Sequence, residues 1–230
     1  MLMACWDRHV RHGCWPLVAI TVATPIAIVS AALLLLFNPW WIDAAQSRAG
    51  AAGIAGMSAA DLRAVTGAIL ADVTQGPPDF TVELVGKPVL GPDERSHMVD
   101  VYNVLHSLGL VAATTTAILM LVLIRHRREA SAWRAMSRAA AVLGVLGVAA
   151  AVVVTLFFNA AFLVFHLIFF PQGNFTFDVR TQRLTRLFPA QFWADSVVAF
   201  VLLTIALAVV VFVVARHLAR RMSVPTHPGA

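Results

Sequence analysis

The sequence predicts an all-α membrane protein: four transmembrane helices, both termini cytoplasmic, and a small extracytoplasmic cap. Three observations predict it. Sixty per cent of the 230 residues are hydrophobic, only 13% are charged, and the mean hydropathy is +0.80; charged residues alone approach about a quarter of a soluble domain. Four stretches, from about Pro16 to Phe37, Tyr102 to Ile124, Ala139 to Phe165 and Ser196 to Ala215, contain no Asp, Glu, Lys or Arg, and each is long enough for a hydrocarbon core that needs about 20 apolar residues. Arginine is segregated: Arg8 and Arg11 precede the first stretch, Arg125, Arg127, Arg128, Arg134 and Arg138 crowd the link between the second and third, and Arg216, Arg220 and Arg221 follow the fourth. The positive-inside rule assigns those three segments to the cytoplasm.

The first span reads as a retained anchor. Its apolar run exceeds the usual 7–15-residue core of a signal peptide, and "DAA" at Asp43 to Ala45 is a poor cleavage site. Cys5 and Cys14 fall on the cytoplasmic side of this topology, where reduced thiols are expected. The net charge of +5 is mostly topological arginine and does not indicate nucleic acid.

Residues 38–101 form the first outer segment, expected to be the cap. "NPWW" opens it, with Trp40 and Trp41 at an interfacial belt. "SAADLRAVTGAILADV" reads as an amphipathic helix capped by Ser58, with Leu62, Val65, Ile69 and Val73 at helical spacing. "QGPPD" breaks the chain, "FTVELVG" alternates as a short strand, and "KPVLGPDE" is a loop leading to a helix start near Pro92. The second outer segment, residues 166–194, is short and aromatic. Pro171 and Gly173 end the third helix, and "FTFDVRTQRLTRLFP" sets Arg180, Arg183 and Arg186 among apolar residues, a pattern of lipid anchoring or of contact with a substrate headgroup. The closing "MSVPTHPGA" reads as a disordered tail. The whole chain, 1–230, is thus one integral membrane domain.

Of eight histidines, His9, His12, His126, His217 and His227 lie in cytoplasmic segments. His106 sits on the opposite face of its helix from His97 and reads as a packing residue. His97 and His166 each stand 28 residues from an arginine at the cytoplasmic link, Arg125 and Arg138. On continuous helices that is about 42 Å of rise. A hydrocarbon core of about 30 Å then puts both imidazoles at the outer interface. Glu94 and Asp100 flank His97 at i−3 and i+3, where a carboxylate can hold an imidazole tautomer, and Asn159 lies two turns before His166 on the same face. Ser96 points away from His97. Ten of the 14 phenylalanines fall between Phe157 and Phe192. Phe162, Phe165, Phe169, Phe170, Phe175 and Trp193, with Arg180 and Arg183, are the candidate wall of a dry pocket in which electrostatic effects are strong. On these residues alone three readings stand: an acid–base site, a metal or haem protein ligated by His97, His166 and Asp100, and a non-enzymatic lipid- or protein-binding scaffold whose aromatic face docks another helix.

"ERSHMVDV", "FHLIFFPQGNFTF" and "RLFPAQFWAD" together resemble a family of four-helix bacterial membrane proteins, the lipoprotein intramolecular transacylases. The resemblance spans nearly the whole chain. It implies a multi-pass protein of the bacterial cytoplasmic membrane that acts on a diacylated lipoprotein; no cofactor is expected, arginine placement puts the site on the extracytoplasmic side, and membrane lipids as partners and a monomer are expected. It implies that the sn-2 acyl chain of a diacylglyceryl-cysteine moves to the cysteine's own amino group, leaving a lyso-form lipoprotein. The family's two catalytic histidines map onto His97 and His166.

Overall fold

A computed structural model describes residues 14–223. His9, His12, Cys5, Arg8, Arg11 and most of the C-terminal tail with His227 lie outside the described residues. The described chain is almost entirely helical. In order come α1 (Trp15–Leu36), α2 (Pro39–Arg48), α3 (Ala51–Ala55), α4 (Ala59–Gln75), β1 (Glu83–Leu84), β2 (Lys87–Pro88), α5 (Pro92–His126), α6 (Ala130–Leu156), α7 (Phe158–Phe169), α8 (Leu184–Leu187) and α9 (Ala190–Arg221). Helices α1, α5, α6 and α9 are long and apolar enough to cross a membrane. Only 17–28% of their most apolar windows is buried within the chain. Side chains such as Leu34, Leu110, Val145 and Leu156 are exposed, so these surfaces need lipid as their solvent.

The chain forms two compact units, each assembled from separate stretches of sequence. One comprises residues up to Ala32, Val111–Ala149 and Leu202 onward. Here α1 packs on α5 and α6 through Ile20, Ala23, Leu119, Val122, Leu123 and Ala132, and Ile28, Ala140 and Ala208 bring α9 into contact. Small residues set the α6–α9 approach: a Cβ on Gly147 would meet Ile205 Cγ1 at 3.0 Å, and one on Gly144 would meet Ala208 Cβ at 3.9 Å. Without a water-driven hydrophobic effect between lipid-facing helices, this close backbone approach is what holds them.

The other unit comprises Leu33–Leu110 and Ala150–Val201. Its core gathers Leu62, Val65, Ile69 and Val73 of α4 with Phe80, Val89, Leu90, Met98, Leu184 and Leu187. The α4 stripe matches the helical spacing read from the sequence. Ser58 Oγ accepts from the Asp61 N–H at 3.1 Å, as a cap should. Buried Gln46 ties α2 to α8, donating from Nε2 to the Leu187 carbonyl at 2.8 Å and accepting from Thr66 Oγ1 at 3.3 Å. Trp41 Nε1 donates to Ser196 Oγ at 3.1 Å, and Arg48 pairs with Asp195 at 2.9 Å.

Three expectations change. "FTVELVG" and the following "KP" form a two-strand antiparallel hairpin turned at Val85 and Gly86, both with positive φ. Two consecutive left-handed residues match the twist of paired strands, which a single-strand reading misses. The third span is not one helix. Phe157, at φ −130 and ψ 37, separates α6 from α7. No proline marks the site, but the β-branched run Val152 to Thr155 precedes it, and Thr155 Oγ1 donates back to the Ala151 carbonyl at 2.7 Å, a bond that bends helices. Finally, Cys14 is disulfide-bonded rather than a reduced thiol; spacing and topology alone carry no signal for such a bond.

Candidate active site

The site begins where α5 does. Pro92 takes the first helical position, which needs no N–H. Glu94, two residues on, reaches back so that Oε2 accepts from the Gly91 N–H at 2.7 Å, the reciprocal half of a capping box. Its other oxygen accepts from the Leu184 N–H at 2.6 Å, at the start of α8. Glu94 is 3% exposed, and both oxygens are engaged by backbone. The sequence expectation that Glu94 orients His97 is therefore replaced: Glu94 fastens the start of α5 to the segment carrying α8.

His97 sits one turn further along, 6% exposed. Helix α7, which follows the break at Phe157, carries Phe162, Phe165, His166 and Phe169. The two imidazoles face each other with ring centroids 6.2 Å apart and planes at 20°. Phe170 lies 4.7 Å from the His97 centroid and 5.5 Å from that of His166. Phe162 lies tilted against His166 at 4.2 Å, with Phe175 at 5.1 Å and Phe165 edge-on at 5.4 Å. Phe169 packs on Phe165, and Trp193 on Phe162. The aromatic residues singled out from the sequence therefore gather around the histidine pair. Phe177, 5.3 Å from His97, joins them without having been singled out.

Hydrogen bonding separates the two rings. His166 Nδ1 lies 2.8 Å from the Phe162 carbonyl. A carbonyl only accepts, so Nδ1 carries the proton and the neutral ring keeps its lone pair on Nε2. His97 Nδ1 is buried and has no partner, and the same holds for Asn174 Oδ1. The Asn174 amide lies beside the His97 ring without closing a well-formed bond. Its Nδ2 donates to Asp100 Oδ2 at 2.5 Å. Asp100 thus reaches His97 through an amide rather than directly. Asn174 escaped the sequence reading; the available signal was an amide set between Gly173 and Phe175 in a phenylalanine-rich stretch.

Other candidates lie elsewhere. Asn159 is exposed and does not join the cluster. Arg180 forms an ion pair with Asp178 at 3.1 Å, and its hydrogen bonds hold the Asp178 carboxyl below the usual carboxylate range. Arg183 is exposed, and Arg186 donates to the carbonyls of Val179 and Arg180. His106 is exposed and bonds to the Tyr102 carbonyl at 3.0 Å. Among the described residues no three His, Cys, Asp or Glu side chains converge as metal ligands. The His97–His166–Asp100 set is not assembled as one, because Asp100 faces the Asn174 amide.

No curated protein matches the chain by sequence. Three solved structures share its fold, all of the membrane integral lipoprotein intramolecular transacylase Lit from Bacillus cereus. One aligns with a TM-score of 0.77 at 16% identity, covering 90% of this chain and 95% of that one. The others, a histidine-to-arginine and a histidine-to-alanine mutant, align at 0.71 and 16% identity, each covering 90% of this chain and 92% and 93% of theirs. The sequence model for lipoprotein intramolecular transacylase Lit matches residues 17–193. With four membrane-capable helices and that match over most of its length, the chain is a multi-pass membrane acyltransferase and belongs to the lipoprotein intramolecular transacylase Lit family.

Proposed function

We propose that His97 and His166 are the acid–base pair of the transacylation, with His166 as base and His97 as acid. The reaction is the attack of a lipoprotein's N-terminal amine on the sn-2 ester of its own diacylglyceryl group. The amine nitrogen bonds to the ester carbonyl carbon, and His166 Nε2 accepts the proton that nitrogen sheds. The tetrahedral intermediate then collapses. The bond between the carbonyl carbon and the glyceryl oxygen breaks, and that oxygen leaves with a proton given by His97. The products are an amide and a free hydroxyl; passage of the proton from His166 back to His97 restores the pair, so that on balance one proton has moved from nitrogen to oxygen.

The observation that carries this reading is the pairing of two nearly parallel imidazoles in an aromatic enclosure. The tautomer imposed by the Phe162 carbonyl supports His166 as the base. Asn174, braced by Asp100, offers Oδ1 to a proton on His97 Nδ1 and supports its role as acid. Because amine and ester belong to one molecule, the enclosure has mainly to hold them together, which contributes about 7–11 kcal/mol. The phenylalanines keep water from competing for the ester.

We further infer that the site faces the extracytoplasmic side, that residues 38–101 and 166–194 form the outer segments, and that the protein acts as a monomer on a diacylated lipoprotein. Arginine segregation supports the orientation. The test is mass spectrometry of the N-terminal lipopeptide of a co-expressed lipoprotein. Wild-type protein should convert a diacylglyceryl, free-amine terminus to an N-acylated lyso-form, and His97→Ala and His166→Ala should leave it unconverted. Conversion by both variants would end the proposal.

A further inference from the structure

Away from the histidine pair, a groove runs between α2 and α4, both within the unit that holds Leu33–Leu110. Trp40 and Asp43, one turn apart on α2, line one wall. Arg63, Thr66, Gly67 and Leu70, on one face of α4, line the other, around a space of about 270 Å³. Helix α1, long and apolar enough to cross a membrane, ends at Leu36, and α2 starts at Pro39. The first turn of α2 therefore stands at headgroup height, the level at which tryptophan belts occur.

The charges of the groove are opposite and adjacent, but they do not bond each other. Arg63 Nη1 and Asp43 Oδ1 are 3.8 Å apart, too long for a hydrogen bond, and both side chains are half exposed. Such a pair contributes little to the fold and opens at little cost. The guanidinium N–H groups and the carboxylate oxygens stay available to a ligand. Thr66 does not compete for one: it is buried, and its hydroxyl is turned to the Leu62 carbonyl at 2.8 Å and to Gln46 Oε1 at 3.3 Å.

Two further residues point to an occupant. Trp41 donates to Ser196, whereas Trp40 is largely exposed and makes no hydrogen bond or ring contact among the described residues. Gly67 sits in the middle of α4, where glycine is a poor helix former. A Cβ there would meet nothing within 4 Å, so packing does not demand glycine. Its missing side chain keeps the groove open.

We propose that this groove binds the phosphoethanolamine headgroup of a membrane lipid. The guanidinium fork of Arg63 takes two phosphate oxygens. The primary ammonium donates to Asp43 and lies against the face of Trp40. A zwitterion meets both walls at once. An anionic headgroup without an ammonium would set its phosphate against Asp43 unrelieved, and a choline group has no N–H to give that carboxylate. Headgroup height makes the source a lipid. The assignment does not depend on the histidine pair.

The test uses full-length, delipidated protein in detergent, with binding read by native mass spectrometry and by thermal unfolding. The probes are phosphatidylethanolamine, phosphatidylcholine and phosphatidylglycerol with the same acyl chains. Phosphatidylethanolamine should bind and raise Tm, and the other two should do so severalfold more weakly. D43N/R63Q should weaken phosphatidylethanolamine by roughly tenfold or more, as for loss of a charge-assisted bond. The control pair K87Q/D93N, which removes the same charges outside the groove, should not. G67L should also weaken binding, by filling the groove, while Tm without lipid holds or rises because leucine suits a helix better. Should D43N/R63Q fail to fold, G67L decides: weaker binding supports the groove, and unchanged binding rejects it. Equal binding of the three lipids, or equal losses in D43N/R63Q and K87Q/D93N, would overturn the proposal.

Discussion

His97 and His166 stand with their rings 6.2 Å apart and nearly parallel, and only His166 has its Nδ1 fixed by a carbonyl. The asymmetry matters more than the distance. It separates a ring with a defined lone pair from a ring whose buried Nδ1 has no hydrogen-bond partner. Acid and base roles differ in this way when two similar groups share a site.

Removing either ring should slow N-acylation of the lipoprotein by about 100- to 10,000-fold, the usual contribution of a positioned acid or base. The double variant should be little worse than either single one, because the two act as a unit. Quantified lipopeptide product over time checks this, and fully additive losses would count against a shared proton pathway.

Asn174→Ala should lower turnover by about tenfold with KM little changed, since the lost amide positions a proton rather than the substrate. Tm should move much less than for a core truncation. If the variant instead loses stability at unchanged turnover, Asn174 only packs the loop.

Glu94→Ala removes two charge-assisted bonds to backbone N–H groups in a buried setting. It should destabilise the protein by about 3–6 kcal/mol, at about 1.5–3 kcal/mol per bond. Glu94→Gln keeps the shape and one good acceptor, so it should lose about half as much. Thermal unfolding in detergent measures both, and a near-neutral Glu94→Ala would contradict the bridging role.

Gly147→Val should separate α6 from α9, because even a Cβ meets Ile205 Cγ1 at 3.0 Å. The cost should be about 1–3 kcal/mol, as for other overpacked cores. Adding Ile205→Ala to the same chain should recover part of it. Failure of that rescue would mean the contact is not what limits the approach.

Much of the fold was legible in the sequence because the bilayer imposes one simple requirement. A span must be long, apolar and internally hydrogen-bonded, so uncharged runs announce α1 almost end to end and fall inside the longer helices α5 and α9. The α4 stripe and its Ser58 cap were legible for a similar reason: both are local, and local periodicity and capping are written in neighbouring residues. The hairpin at Val85–Gly86 and the break at Phe157 were not. Each depends on backbone dihedrals that the residue types there do not demand.

For the site, the sequence by itself determined which two imidazoles could matter, since both stand clear of the arginine-rich segments at the ends of neighbouring apolar runs. It also determined that aromatic residues would surround them. Only the tertiary structure decided lateral approach and partnership. Glu94 lay at helical spacing from His97, yet its oxygens belong to Gly91 and Leu184. Asn174 lay 77 positions away in sequence, yet its amide stands between His97 and Asp100. Spacing along one helix gives the face a side chain shares; which distant backbone or amide reaches that face depends on how the chain returns to it, and that is fixed by packing across the whole unit.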